Sequence, residues 1–257
     1  MKKVLPKNIG FEFEIASNIN NRTMINRFNK YTGWKARIGS DCSIESDGMK
    51  YAAEIRTPPV PASQAIARLK RACKFFQENE VTTNYSTGLH VNISFRKSGY
   101  NFDIDATKLQ ILVDDLKWLK RFDRLENEYC ESPKISLNEM ICDYQTFLRR
   151  KRLENKATVE DYLEYISNVI EEGDTELLEK YCAVNVGKLE YKSPYVEFRV
   201  IGGDNYHWRF EHIQRAINDF SRSMDMSLGT KYNYLMKRFI KNMAGLNDPQ
   251  PVSIIPH

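Results

Sequence analysis

The stretch that decides the fold is Asn8–Ile15, which reads N-I-G-F-E-F-E-I. Its apolar residues alternate with glycine and glutamate, and alternation at period two predicts a strand with one apolar and one polar face. The polar face carries Glu12 and Glu14, so two carboxylates project to the same side. Two interpretations account for this pair of like charges: an exposed acidic strand, or two oxygen ligands for a hard cation.

Three further segments alternate in the same way, and each sets polar side chains opposite an apolar face. They are Lys50–Thr57, Ser86–Arg96 and Tyr195–Ile201. The polar sides of the four predicted strands together carry Glu12, Glu14, Glu54, Arg56, His90, Asn92, Glu197 and Arg199. If the strands share one sheet, four carboxylates, a histidine and two arginines meet on one surface.

Such a surface is electrostatically unfavourable without a partner ion. Two unit charges about 4 Å apart interact by about 4 kcal/mol at an effective dielectric constant of about 20, and carboxylates without a counter-charge raise one another's pKa. Mg²⁺ relieves this repulsion, because it takes oxygen ligands and is commonly held between carboxylates and substrate phosphates. We favour a metal ligand at His90, with a hydrogen-bonded core histidine as the alternative. Arg56 and Arg199 either pair with neighbouring glutamates or, for Arg199, hold a phosphoryl group.

Helices with an apolar stripe are predicted to pack on the apolar side of this sheet. They cover Ala62–Glu78, the long segment from Asp105 to about residue 129, and about His207–Phe220. Much of the middle third is also predicted to be helical, and a last helix covers about residues 231–243. We therefore expect one α+β catalytic domain over residues 1–257, with a mostly helical insertion at about 102–182 and a helical C-terminal tail at about 221–257.

Local signals refine this outline. Ser17–Lys30 is predicted to be a loop or a short helix. Thr158–Asp161 resembles a capping box, residues 171–174 are predicted to break the helix that it starts, and Thr175 is predicted to start another. The basic run Arg149–Arg152 is interpreted as a solvated helix face, with a phosphate or nucleic-acid patch as the alternative.

The composition favours a globular protein. The 257 residues suit one large or two small domains, and 42% of them are hydrophobic against 28% charged. A net charge of +4 is too small to indicate nucleic-acid binding without a concentrated basic patch. The five cysteines show no C-x-x-C spacing, which argues against a zinc site or disulfide framework. No apolar run suits a signal core or a membrane span, so we expect a cytoplasmic protein with no membrane partner.

In their order along the chain, these segments resemble the amidoligase family of the glutamine synthetase and glutamate–cysteine ligase superfamily. The stretches that carry the resemblance are I-G-F-E-F-E at 9–14, D-C-S at 41–43, A-E-I-R-T-P at 53–58, T-G-L-H-V-N at 87–92, V-N-V at 184–186 and V-E-F-R-V at 196–200. The resemblance implies a mainly antiparallel sheet of the glutamine synthetase catalytic-domain type. It places helices on one face of this sheet and a funnel-like active site on the other.

The resemblance also implies an activity, which is the joining of a carboxylate to an amine or ammonia with ATP through an acyl phosphate. It implies two or more Mg²⁺ ions, for which Mn²⁺ can substitute. One ion is expected at Glu12, His90 and Glu197. The other is expected at Glu14 and Glu54, helped by Asp41. The resemblance further assigns catalytic roles to Arg199, Glu54 and Asp41, and cofactor contacts to Arg199, Asn92 and Arg56.

Asn92 departs from the family pattern, because many relatives read G-L-H-V-H and have histidine at this position. Asparagine can hydrogen-bond a phosphate or a substrate, but it carries neither charge nor a transferable proton. Three other functions stay open: a phosphotransferase of the guanidino-kinase type, a non-catalytic nucleotide- or metal-binding protein, and a metal-dependent hydrolase. The expected substrates are a small-molecule or peptide acid and an amine. Nucleic acid is not expected as a partner, although a modified nucleobase stays open as a substrate.

Overall fold

The computed structural model describes residues 5–154, 156–171 and 181–246, and within them the chain is α+β. The strands are β1 (Lys7–Ser17), β2 (Arg37–Ser40), β3 (Tyr51–Arg56), β4 (Val60–Pro61), β5 (Gly88–Phe95), β6 (Val184–Asn185) and β7 (Val196–Gly202). The α-helices are α1 (Asn21–Thr32), α2 (Ala62–Glu78), α3 (Gly99–Phe102), α4 (Ala106–Leu112), α5 (Asp115–Arg121), α6 (Pro133–Lys151), α7 (Val159–Glu171), α8 (Phe210–Ser227) and α9 (Asn233–Met243). Among these, no helix combines the length and the apolar character needed to cross a bilayer.

The strands form one open, mostly antiparallel sheet in the order β2-β3-β1-β5-β7-β6, with β4 paired to β1. The register sets Glu12 of β1 opposite Arg56 of β3 and His90 of β5, and it sets Asn92 of β5 opposite Glu197 of β7. Residues directly opposite each other in an antiparallel pair project to the same face. The predicted convergence of polar side chains on one face of the sheet is therefore confirmed.

The other face of the sheet is the main hydrophobic core. Phe11 and Phe13 of β1 are fully buried and alternate with the two glutamates. The Phe13 ring lies 5.3 Å from that of Phe76 on α2 and 5.9 Å from that of Phe28 on α1, while Phe11 meets Trp34 at 5.7 Å. The apolar residues of α5 and α8 belong to the same core. Period two in the strands thus separates a packed face from a charged face.

Most predicted elements are confirmed. The four alternating segments are strands, and α2 has the predicted bounds. The polar segment after β1 contains the helix α1, which Asn20 caps by accepting a hydrogen bond from the Thr23 backbone. The predicted helix ending near Phe220 continues as α8 to Ser227.

The prediction of one long helix from Asp105 is wrong, because the structure has two short helices, α4 and α5, in its place. Asp105 does cap α4. The break follows from a buried ion pair: Asp115 is fully buried, accepts a hydrogen bond from Ser132 and pairs with Lys134. The Lys134 ammonium also donates to the carbonyl of Val113, whose backbone is extended. Periodicity does not detect such a pair, since its partners come from a later helix.

A second, smaller hydrophobic cluster joins α6, α7 and α9. The capping box is confirmed, because the Thr158 backbone donates to the Asp161 carboxylate at 2.6 Å and the Asp161 backbone donates to Thr158 Oγ1 at 3.3 Å. Arg149–Arg152 is exposed at the end of α6, as a solvated helix face requires. The predicted break at 172–174 and the helix predicted from Thr175 lie outside the described residues.

Candidate active site

The polar face of the sheet is the floor of a cavity of about 280 Å³. The predicted site residues that line it are Glu12, Glu14, Asp41, Glu54, Arg56, His90, Glu197 and Arg199. Strands β1, β3, β5 and β7 supply all of these except Asp41, which lies in the loop after β2. The structure therefore brings together residues that are up to 187 positions apart, from Glu12 to Arg199 (199 − 12).

His90 lies at the centre of the acidic side chains and is only 4% exposed. Its Nδ1 is 3.7 Å from Glu12 Oε2 and 3.6 Å from Glu197 Oε1, whereas its Nε2 is 3.3 Å from Glu14 Oε1. One ligand atom from each of Glu12, Glu54 and His90 also lies within 4.8 Å of the other two. This spacing allows one cation to contact all three side chains.

Three of the glutamates are oriented through one oxygen and present the other oxygen to His90. The anchored oxygens are Oε1 of Glu12, Oε2 of Glu14 and Oε2 of Glu197. Their donors are the Asn92 amide at 2.6 Å, the Gly88 backbone N–H at 2.6 Å and the Asn185 amide at 3.0 Å. Hydrogen bonds of this kind fix the direction of metal-ligating carboxylates. The V-N-V stretch, through Asn185, therefore contributes an anchor rather than a lining residue.

The carboxyl pKa values of Glu12 and Glu54 shift in opposite directions. Burial, with the hydrogen bond to Glu12, raises the pKa of Glu54 to about 7. Although burial opposes ionisation of Glu12, hydrogen bonds from His90 and Glu54 hold the pKa of Glu12 well below its usual range. Two neighbouring carboxylates without a cation disfavour each other's ionisation, so Glu54 keeps its proton to a higher pH than an isolated glutamate does. A divalent cation between them would displace that proton.

The two predicted arginines occupy different depths. Arg199 is 8% exposed, and its Nη1 lies 3.5 Å from both Glu197 Oε1 and His90 Nδ1. Arg56 pairs with Glu54 from the rim, where its side chain is 69% exposed. A buried guanidinium in this position interacts with a ligand anion more strongly than one in water, because the local dielectric constant is lower. Arg199 is therefore the stronger candidate for contact with a transferring group.

Asn92 and Asp41 both use side-chain atoms to position other residues of the site. The Asn92 amide donates to Glu12, and its Oδ1 is buried with no hydrogen-bond partner among the described residues. An unused acceptor suits a metal-bound water or an N–H donor better than a phosphate oxygen. Asp41 holds its own loop, since its Oδ1 accepts from the backbone and the hydroxyl of Ser43.

Several lining residues come from irregular segments and were not predicted. They are Ser43, Ser86, Arg124, Tyr129, Tyr181 and Lys188. Arg124 is 2% exposed and donates to the Thr87 carbonyl at 2.6 Å. Its guanidinium crosses Gly202 so closely that a Cβ there would lie 1.6 Å from Nη1. The Gly202-Gly203 pair is visible in the sequence. The sequence does not show that a side chain from another segment, Arg124, passes over Gly202.

Comparison of the sequence with protein-family models and with curated proteins finds no match. Evidence on function therefore comes from the geometry of this cavity and from the motif resemblance. Chemically, the arrangement offers carboxylate oxygens and an imidazole for cations, with a buried guanidinium beside them for an anion.

Proposed function

We propose that this protein is an ATP- and Mg²⁺-dependent carboxylate–amine ligase of the amidoligase type, built on a sheet of the glutamine synthetase catalytic-domain type. The observation that supports the proposal is the set of anchored carboxylates around His90. Glu12, Glu14 and Glu197 each place one oxygen within 3.7 Å of the ring and fix the other. A solvated strand face has no need of such orientation, and the neighbouring Glu54, whose pKa is raised to about 7, would ionise more readily beside a cation.

The donor set fits Mg²⁺. The oxygens are hard ligands, the Glu12–Glu54 pair has charge to neutralise, and Asn92 Oδ1 has no partner among the described residues. The residues that would hold the ions are Glu12, Glu14, Glu54, His90 and Glu197, with Asp41 nearby. Mn²⁺ takes similar ligands and would substitute. When bound, the ions neutralise the charge of the ATP phosphates.

The residues of the chain would then make an unreactive acid reactive. A carboxylate is a poor electrophile, so the γ-phosphoryl group of ATP is transferred to its oxygen, and ADP leaves. The amine attacks the carbonyl carbon of the resulting acyl phosphate, loses a proton and displaces phosphate. Arg199 stabilises the charge of the phosphoryl group during transfer. Tyr129 and Tyr181, whose rings meet at 6.0 Å on the cavity wall, help to exclude water that would hydrolyse the acyl phosphate.

The activity is tested by measuring ADP release in the presence of Mg²⁺ while carboxylic acids and amines are added singly and together. We expect release to require both, with the amide identified by mass spectrometry. Glu197→Gln should abolish release, whereas Glu139→Gln, at an exposed position on α6, should not. ADP release with a guanidino compound alone would instead indicate a phosphotransferase. Turnover of a substrate without nucleotide would indicate a metal-dependent hydrolase.

We place this activity in the cytoplasm, where ATP is available. All five cysteines are free thiols, and Cys73, Cys130 and Cys182 are buried. Free thiols are typical of a reducing compartment.

A further inference from the structure

A second cavity, of about 550 Å³, lies behind the sheet between α5 and α8. Its basic lining residues are Lys117, Lys120, Arg121, His212 and Arg215, and Trp118 and Asp219 complete it. None of these residues belongs to the acidic cavity on the other face. The proposed ligase chemistry makes no use of them.

Two acids near this cavity are paired with cations. Lys117 bridges from α5 to Asp219 on α8 at 3.0 Å. Beyond α5, Arg209 pairs with Asp123 at 3.1 Å and donates to the Arg121 carbonyl at 3.2 Å. Between these two bridges, the described lining residues present only Lys120, Arg121, His212 and Arg215. The lining residues thus include four lysine or arginine side chains, Lys117, Lys120, Arg121 and Arg215, against one carboxylate, Asp219.

The placement of these cations is costly for the fold. His212 and Arg215 lie in the first turns of α8, where the helix dipole disfavours positive charge. They are also three residues apart on one helix face, so the Arg215 guanidinium disfavours protonation of His212. Burial and the neighbouring charges of Arg121 and Arg215 lower the pKa of His212. A bound anion would offset all of these terms.

Trp118 also contributes to the cavity wall, and Lys117 Nζ lies 4.4 Å from the centroid of its ring. Its side chain lines the cavity and is 4% exposed, and its Nε1 is buried with no hydrogen-bond partner among the described residues. An indole nitrogen is only a donor. This nitrogen is not accessible to solvent, so its environment reports on the packing of the cavity wall.

We propose that this cavity binds a small phosphate-bearing anion, held by Arg121 and Arg215 from opposite walls. Guanidinium groups pair with phosphate oxygens in bidentate fashion. The volume lies within the range of about 300–1,000 Å³ that small-molecule sites occupy, which suits an organic phosphate or a diphosphate. A concave site between two helices favours such a ligand over a nucleic-acid backbone, which binds along extended basic surfaces.

The test is a calorimetric titration of the full chain with inorganic pyrophosphate, without divalent cations. We expect a dissociation constant in the micromolar to millimolar range, weakened at least about tenfold in Arg121→Gln and in Arg215→Gln. Arg222→Gln changes an exposed arginine on α8 that does not line the cavity, and it should bind like the wild type. Glu12→Gln, in the acidic cavity, should also leave binding unchanged. Because Glu12 belongs only to the acidic cavity, a loss of ligase activity in this variant without a loss of pyrophosphate binding would show that the two sites are independent.

The second readout is the indole N–H resonance of Trp118, assigned with Trp118→Phe, which should shift during the titration. The proposal is overturned by an absence of heat and of a shift at about 10 mM pyrophosphate. It is also overturned if Glu12→Gln abolishes binding while Arg215→Gln retains it. Tight binding of an RNA oligonucleotide without any pyrophosphate binding would replace it with a nucleic-acid surface.

Discussion

The two faces of β1 show how one strand serves two purposes. On one face, Phe11 and Phe13 are fully buried among aromatic rings from α1 and α2. On the other face, Glu12 and Glu14 lie within 3.7 Å of His90, and burial together with Glu12 raises the pKa of Glu54. The apolar side chains stabilise one another by packing. The carboxylates on the polar face repel one another, and the proposed cation would relieve this repulsion. Such local conflict is expected at functional sites.

The largest expected effect is on the apolar face. Phe13→Ala removes a buried ring in contact with four aromatic neighbours, so we expect the free energy of unfolding to fall by about 3–5 kcal/mol. Glu12→Gln, one residue away, keeps the side-chain volume and an acceptor for the Asn92 amide, so we expect a smaller loss of metal-free stability, below about 2 kcal/mol. Urea unfolding at neutral pH measures both. Equal decreases in the free energy of unfolding of the two variants would contradict the proposed difference between the two faces.

This contrast also explains what the sequence could reveal. Alternation located the strands and placed Glu12, Glu54, His90 and Glu197 on one face, because period two depends only on neighbouring residues. It could not supply Arg124 or Tyr129, which reach the cavity from irregular segments without periodicity. The break between α4 and α5 was equally invisible, since it depends on Lys134, which reaches back from α6 to Asp115.

The polar face should dominate activity. We expect Glu12→Gln and Glu197→Gln each to lower the rate of ADP formation by at least about 10²–10³-fold, the usual effect of losing one charge-stabilising group. Arg199→Ala should reduce turnover more than it reduces ATP affinity, with Arg222→Ala as the control. Steady-state kinetics at varied ATP concentration separate the two effects. An unchanged turnover number in Arg199→Ala would remove that residue from the reaction.

A buried histidine on the apolar side should make its own contribution to the pH dependence of stability. His207 is 1% exposed and packs against Phe76, and burial lowers its pKa to about 4. Between about pH 6.5 and pH 4, the unfolded chain binds more protons at this histidine than the folded chain does. The free energy of unfolding therefore falls by about 3 kcal/mol as the pH decreases over this range, and this stability is retained above about pH 6.5. His207→Gln should flatten this part of the curve of unfolding free energy against pH. The same slope in the variant would show that another group is responsible.

Mg²⁺ should stabilise the protein through the polar face alone. At about 100 times its dissociation constant, a ligand of the folded state adds about 2.7 kcal/mol. We expect this gain in the wild type and in a destabilised apolar-face variant such as Ile93→Val. Glu12→Gln should lose it. Thermal unfolding with and without Mg²⁺ makes the comparison, and an equal gain in Glu12→Gln would place the ion elsewhere.

The most direct measurement of the central claim is a calorimetric titration of ATP, with and without Mg²⁺, into the wild type and the folded double variant Glu12→Gln/Glu54→Gln. We predict that ATP binds to the wild type only when Mg²⁺ is present and that the double variant binds it at least about tenfold more weakly. Equal ATP binding by both proteins, or binding that ignores Mg²⁺, would contradict the assignment of the converging carboxylates to a metal–nucleotide site.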